Sequence, residues 1–428
     1  MPNITTHSNL DLAIIASKFH GQRNMKKIIV IGAGYGGLRA VEHLAGIDGL
    51  QITLIDRHPY HYLQTEAYGY IAGRFDLHDV AIDLKNWCYG FKKWVEFVHD
   101  EVTLVDFEAK RVHFGDRVLH YDYVIMAIGA ETNFFSFIEG LRENSHGVKK
   151  LQRAFTFRTA FERLLYSKVE HPSGEVKGTL NIAIGGAGLS GVEIAAEMAD
   201  VITKHTKSIG ESAREIRIHL IDAAPTILPG MSDFIVTNTR ARLEALGINI
   251  MTDAFIQSVD STTIRFKDGK SLKYFFMIFT GGIKVPSFAL SREVEKNRIN
   301  QFIVDAHLRI PDEPEVFAVG DCVEIRDAKG HLLPPTAQTA ERSAEYAAYA
   351  IRQSLQHLPL KPFDASIDGV FVALGGNYAV GELFRVIKVK GYSAYLLKKL
   401  ITYTYHLGLK LRVNTGFKKR TRPFDCQA

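Results

Sequence analysis

The sequence predicts an α/β fold with two strand–turn–helix units of one design and an amphipathic helix near the C-terminus. Three observations predict it. An apolar strand, a glycine turn and a helix follow one another from Lys26, and again from Thr179. Each copy leads to a second apolar strand that ends in an aspartate, Asp56 or Asp222. From Arg385 onward the chain combines helical apolar spacing with a run of basic residues.

In the first unit, Ile28 to Ile31 is a β-branched apolar run, as a buried parallel strand requires. It enters Gly32, Gly34 and Gly37, which fit G-x-G-x-x-G, and Leu38 to Ala45 has helical spacing. Gln51 to Ile55 is the next strand, and Asp56 follows Gly37 by nineteen residues. This is the order of a Rossmann-like dinucleotide site. Gly32 permits the tight turn, Gly34 lets a pyrophosphate approach, and Gly37 seats the helix on the strand with its N–H groups toward the phosphates. Asp56 stands where an acid accepts the hydroxyls of an adenosine ribose.

After Asp56 comes a loop rich in aromatic residues and histidine. His58 and His61 lack a Cys or acid at ligand spacing, so the loop reads as packed and not as a metal site. Short strands follow, and His120 to Ile128 runs into a turn at Gly129 that leads out of the first unit. Phe155 to Val169 reads as a helix, with turn chemistry from His171 to Gly178.

The opening design then repeats. Thr179 to Ile184 is the strand, Gly186, Gly188 and Gly191 form the turn, and Arg217 to Ile221 ends at Asp222, thirty-one residues after Gly191. Two dinucleotides share a chain when electrons pass between them, so one unit should hold a flavin and the other a nicotinamide. Ala223 and Ala224 follow Asp222, leaving no cation there for a 2′-phosphate, which favours NADH over NADPH. Thr280-Gly281-Gly282 is a turn that can return the chain to the first unit. Gly320 and Asp321 lie in a second apolar turn, and Pro334-Pro335 precedes a helix rich in alanine.

Bulk properties narrow the class. The chain has 428 residues, 46% of them hydrophobic, enough for two or three domains. Three cysteines, Cys88, Cys322 and Cys426, show no pairing pattern and favour a reducing compartment. No stretch is long and apolar enough to span a membrane. Residues 1–24 read as an extension outside the fold and are expected to be disordered; an upstream start codon and a short N-terminal arm both account for them. Arg385 to Ala428 holds eleven Lys or Arg and one acid, whereas residues 1–384 hold 41 basic and 46 acidic residues. A basic tail on a mildly acidic body suits an anionic surface. Nucleic acid is disfavoured, since no recognised nucleic-acid fold accompanies the tail.

Together these motifs resemble the two-dinucleotide-binding flavoproteins of glutathione-reductase-like fold, and within them the type II (alternative) NADH:quinone oxidoreductases. The likeness covers roughly residues 25–420. It rests on GAGYGG with Asp56, MAIGAET, GGAGLSGVEIAAEM, TGGI, VFAVGDCVEI, PPTAQTAERSAEYAA and the tail GGNYAVGE…KGYSAYLLKKL. By resemblance, Gly32, Gly34, Gly37 and Asp56 would bind the ADP part of FAD, and Gly320 and Asp321 its pyrophosphate and ribityl chain. Gly129 and Gly281 would mark the crossovers beside the cofactors. Gly186, Gly188, Gly191 and Asp222 would bind NADH. Glu193 matches the glutamate near nicotinamide and flavin, and Ala337 and Gln338 match the motif where the quinone head arrives; Glu193 and Gln338 are the catalytic candidates. The family commonly reads Ala-Gln-x-Ala-x-Gln there, and this chain places Arg342 at the second glutamine, which leaves its acceptor preference open. Each candidate has a plainer reading: Glu193 as a first-turn helix acid, Asp321 as a turn cap, Cys322 as a small buried residue.

The implied layout is an extension at 1–24, an FAD-binding part at 25–150, an NADH-binding part at 151–285, the rest of the FAD part at 286–350, and a membrane-association region at 351–428. Within the last, Leu396, Leu397, Leu400, Ile401 and Leu407 share a helical face. Lys398, Lys399 and the later basic residues would border it, with Tyr395, Tyr403 and Tyr405 at headgroup level. That describes a helix lying in the bilayer interface, peripheral to the cytoplasmic face of the cell membrane. Packing on the body or on a second subunit of a homodimer is the competing account. The expected activity is FAD-dependent, non-proton-pumping transfer of electrons from NADH to a membrane quinone. A sulfide:quinone oxidoreductase shares the fold but uses paired cysteines, and a non-catalytic NADH-sensing flavoprotein would bind NADH without quinone turnover.

Overall fold

The computed structural model describes residues 25–91, 94–170, 179–209, 216–327, 330–365, 367–384 and 386–413. The expected extension at 1–24, the turn region 171–178, Cys426 and the basic residues after 413 lie outside the described residues.

Strand β1 (Lys26–Ile31) feeds helix α1 (Tyr35–Leu44), and the chain returns as β2 (Leu50–Asp56). A short helix α2 (Ala67–Ile71) follows, then β3 (Val95–His99) and β4 (Tyr123–Met126). Helix α3 (Leu151–Glu170) leads to the second unit: β5 (Leu180–Gly185), α4 (Leu189–Ile209), β6 (Ile216–Ile221), β7 (Asn249–Met251) and β8 (Phe276–Phe279). The chain then adds β9 (Val316–Ala318) and α5 (Ala337–Leu355). It closes with β10 (Gly369–Ala373), β11 (Ala379–Leu383), β12 (Ile387–Gly391) and helix α6 (Tyr392–Val413).

Strand order explains the layout. The first sheet runs β9-β4-β1-β2-β3, so a strand from beyond residue 315 completes a sheet begun at residue 26. The second sheet runs β7-β6-β5-β8 and is made wholly from the intervening chain. Every pairing in both sheets is parallel, with Ile31 beside Ile55 and Gly185 beside Ile221. Parallel strands buried on both faces account for their near-continuous apolar runs. The glycine turns therefore sit at the C-terminal edges of their sheets, where open α/β sheets bind ligands.

Helix α5 begins where proline and threonine predict. Thr336 Oγ1 accepts from Thr339 N at 3.2 Å, satisfying an N–H the first turn leaves free. Its alanines let it lie close on α1: Ala344, Ala347 and Ile351 are fully buried in the cluster that holds Leu38, Val41 and Leu44. Burying a side chain the size of Ile351 stabilises by about 1.5–3 kcal/mol. The helix continues to Leu355, so the boundary expected at 350 falls inside it.

β10, β11 and β12 form an antiparallel sheet. Val372, Leu374 and Val380 join the core cluster of Val192, Ala195 and Ala196 from α4. Helix α6 lies across this sheet and reaches the first unit, where Leu409 is buried with Trp87 and Phe91. Among the described residues no helix is long and apolar enough to cross a membrane.

Candidate active site

The two glycine turns are built alike. Gly32 and Gly186 hold φ of +97° and +100°. A Cβ on Gly37 would fall 1.8 Å from the Gly32 carbonyl oxygen, and one on Gly191 would fall 1.9 Å from that of Gly186. No side chain fits there, which is why helix and strand can meet so closely. Each turn is clasped by its aspartate. Asp56 Oδ2 accepts from Ala33 N at 2.6 Å and Oδ1 from His58 N at 2.7 Å. Asp222 does the same with Ala187 N at 2.5 Å and Ala224 N at 2.8 Å. Burial pushes the Asp56 carboxyl up, and these two N–H groups oppose the shift.

One cavity of about 650 Å³ runs between the units. Of the residues expected from sequence it is lined by Gly32, Gly34, Asp56, Gly129, Gly188, Glu193, Gly320, Asp321 and Ala337. Gly37, Gly186, Gly191, Asp222, Gly281 and Gln338 are not among its lining residues. The first four shape or clasp the turns, and Gly281 packs against Gly186, whose Cβ would meet its N at 2.6 Å.

The cavity has the character of a bound dinucleotide's site. A Cβ on Gly34, Gly129 or Gly188 would meet nothing within 4 Å, so backbone is bare on its wall. Tyr62 lines it with only 8% exposure, and its hydroxyl has no hydrogen-bond partner among the described residues. An orphaned buried hydroxyl costs about 1–3 kcal/mol unless a ligand satisfies it. Lys149 also lines the wall and pairs with Asp321 Oδ2 at 2.7 Å.

At the junction of the units stands Glu193, 9% exposed near the start of α4. Its Oε1 accepts from Ala373 N at 2.9 Å and from Lys398 Nζ at 2.6 Å. Burial pushes the Glu193 carboxyl up, and Lys398 pulls it partly back. Burial alone would lower Lys398, but Glu193 and Glu66 outweigh it and hold the ammonium above its usual range. Both described contacts of Glu193 fall on Oε1, and the residue lines the cavity.

Three residues of α6 stand elsewhere than the sequence suggests. Lys398 is not a basic border to a membrane face; its side chain is 14% exposed and lines the cavity. Lys399 turns inward to Glu66 Oε2 at 3.6 Å, and Thr402 donates to Glu66 Oε1 at 3.1 Å. Tyr405 packs at 5.3 Å, tilted, against Tyr35 and meets His61. Their signal is the spacing Lys398, Thr402, Tyr405, a polar helical stripe opposite the apolar one.

Gln338 is the other departure. Its amide is held by Asp368: Oε1 accepts from Asp368 N at 3.2 Å and Nε2 donates to Oδ2 at 3.4 Å. Arg342 is ion-paired with the same Oδ2. Gln338 is thus turned from the cavity, while its neighbours Ala337 and Ala340 line it. Cys322 is fully buried, donates to Val319 O at 3.1 Å, and has its thiol pushed up to about 12 by burial.

Comparison with known proteins places this geometry in context. The sequence profile of the pyridine nucleotide-disulphide oxidoreductases matches residues 26–344. A type II NADH:quinone oxidoreductase of Staphylococcus epidermidis is 28% identical over 414 residues, covering 93% of this chain and 99% of that protein. One from Haemophilus influenzae is 26% identical, covering 84% and 87%. Among solved structures, NDH2 from Plasmodium falciparum in complex with NADH is similar with a TM-score of 0.80 at 22% identity, covering 92% of this chain and 97% of that one. The sulfide:quinone oxidoreductase of Aquifex aeolicus is similar with a TM-score of 0.75 at 18% identity, covering 90% and 92%. These two structural likenesses speak for the fold.

Proposed function

The chain belongs to the pyridine nucleotide-disulphide oxidoreductase family, and on that premise we propose that it is a type II NADH:quinone oxidoreductase. The observation that carries the reading is the shared cavity, which touches the first glycine turn at Gly34, the second at Gly188, and Glu193 between them. Bound there, FAD would supply the hydride acceptor for NADH and the two-electron donor for a quinone, without proton pumping.

The chain's own residues bind, orient and exchange protons. Gly32, Gly34, Gly37 and Asp56 hold the ADP part of FAD, with Gly320, Asp321 and Lys149 along the rest of its length and Gly129 at the crossover beside it. Gly186, Gly188, Gly191 and Asp222 seat NADH, with Gly281 behind the turn. Glu193 can hold a proton at Oε2, and Lys398 stabilises its carboxylate once the proton leaves. Ala337 lies on the cavity wall where the acceptor would arrive, and Gln338 can reach it after leaving Asp368. In domain terms, 25–150 and 286–350 form the FAD part around the first sheet, and 151–285 the NADH part around the second.

Residues 351–428 supply the membrane contact in this reading. Leu400, Ile401, Tyr403 and Leu411 on α6 are 59%, 53%, 63% and 61% exposed. Phe384 and Val386, between β11 and β12, are 64% and 77% exposed. Exposed apolar side chains of this kind suit a helix lying in a bilayer interface. Docking belongs on the cytoplasmic face, where NADH is supplied.

Anaerobic stopped-flow bleaching of the flavin tests the reading. NADH should bleach it rapidly, NADPH slowly, and a short-chain quinone should reoxidise it. Bleaching by sulfide and not by NADH would transfer the assignment to sulfide chemistry, which the buried Cys322 thiol does not favour. NADH bleaching with no quinone reoxidation would identify a sensor.

A further inference from the structure

Both glycine turns must hold one peptide in one orientation, that between the alanine after the first glycine and the glycine that follows. In the second turn the Ala187 carbonyl accepts from Leu228 N at 2.8 Å, a bond between backbone groups. In the first turn the matching carbonyl, of Ala33, instead faces His61 Nδ1 at 2.9 Å. The same task is given to a backbone amide in one unit and to an imidazole in the other.

The direction of each bond follows from the donors available. A carbonyl only accepts, so Nδ1 of His61 carries the proton. His61 is 1% exposed, and burial pushes it down to about 4, so at neutral pH the ring has one proton and Nε2 is an acceptor. Nε2 faces the Tyr405 hydroxyl at 3.3 Å. The bonds therefore run in one sense, from Tyr405 O–H to His61, and from His61 N–H to Ala33 O. In a trans peptide the carbonyl and the following N–H point opposite ways. Holding Ala33 O against His61 turns the Gly34 N–H to the other side of that peptide, and Gly34 lines the cavity.

We propose that Tyr405 and His61 are positioning residues for the flavin, by which the C-terminal helix sets the phosphate-facing peptide of the first glycine turn. The proposal rests on reading that turn as the FAD site. The nicotinamide turn has its own backbone tie and needs nothing from α6. Flavin retention is thus linked through these two side chains to the seating of a helix whose outer face is apolar, while the second glycine turn is tied without them.

The test uses full-length, flavin-loaded protein carrying Tyr405→Phe or His61→Leu. The first removes one hydroxyl and keeps the ring that packs on Tyr35, so it serves if His61→Leu fails to fold. Release of FAD after dilution is followed by its fluorescence, and the rise in melting temperature on adding FAD is compared with that of the wild type. Tyr405→Phe should release flavin about fivefold faster, as the loss of one hydrogen bond implies, and should shrink the FAD-induced rise. NADH affinity of the flavin-loaded variant should stay within about twofold, because Leu228 still ties the second turn. Equal release rates in variant and wild type would overturn the proposal, as would an equal loss of NADH affinity. A wild-type protein that neither carries nor takes up FAD would instead overturn the reading of the first turn itself.

Discussion

Lys398 Nζ lies 2.6 Å from Glu193 Oε1, and the pair joins two helices whose partners stand 205 residues apart in the chain. The side chains are 14% and 12% exposed, so neither charge is well solvated without the other. Such a pair adds little net stability when intact and costs much when halved.

Replacing Lys398 by Met should therefore destabilise the fold by about 3–5 kcal/mol, unless Glu193 takes up a proton. Adding Glu193→Gln should return most of that loss. Urea unfolding of the two single variants and the double variant measures the coupling directly. Additive losses would mean that the two side chains do not act as a pair.

The two aspartate clasps make separable predictions. Asp222→Ala should weaken NADH binding by roughly 10–100-fold, the cost of losing charged hydrogen bonds, while flavin stays bound. Asp56→Ala should lower the flavin-to-protein ratio instead. Absorbance at the flavin band and titration with NADH distinguish the two outcomes.

His61 predicts a pH window for stability. Its folded pKa is pushed from 6.5 down to about 4, so between those values the unfolded chain binds more protons than the native one. Stability falls as the pH drops from 6.5 toward 4, by an amount on the order of 3 kcal/mol, and His61 adds nothing further below 4. A His61→Asn variant should show a flatter profile across that window in chemical unfolding.

Glu341 predicts the opposite slope. Burial pushes its carboxyl from 4.5 up to about 7, with Glu345 and Glu42 adding to the shift and Arg39 opposing it. The native state then holds the extra proton between 4.5 and 7, so stability falls as the pH rises through that range. Glu341→Gln should raise stability at pH 8 by about 3 kcal/mol and leave it unchanged at about pH 4. Thermal melts at the two pH values decide it.

The strand–turn–helix units are legible in sequence because local residues make them. Ile28 to Ile31 must be buried, Gly37 can carry no side chain, and Asp56 must follow a strand of known length. Asp222 is legible despite its later position, because the strand before it still ends beside the turn. Lys398, His61 and Tyr405 are harder, since their partners lie far along the chain: Glu193 for Lys398, and Ala33 and Tyr405 for His61. Periodicity shows which face of α6 is apolar; it does not show that the opposite face enters a cavity. Gln338 is placed correctly at the start of a helix, but its amide is claimed by Asp368, a residue with no motif to announce it.

The inward stripe of α6 also sets an order of events in biosynthesis. Both glycine turns have left the ribosome well before residues 398–409 are made. Domains generally fold as they emerge, from the N-terminus onward. The cavity wall contributed by Lys398, and the support that Tyr405 gives to His61, arrive only with α6. Until then Glu193 faces an unfinished chamber, and the growing polypeptide holds two formed turns that share no closed space. The whole wall is present only once residues 398–409 have emerged, so closure of the cavity follows the making of α6.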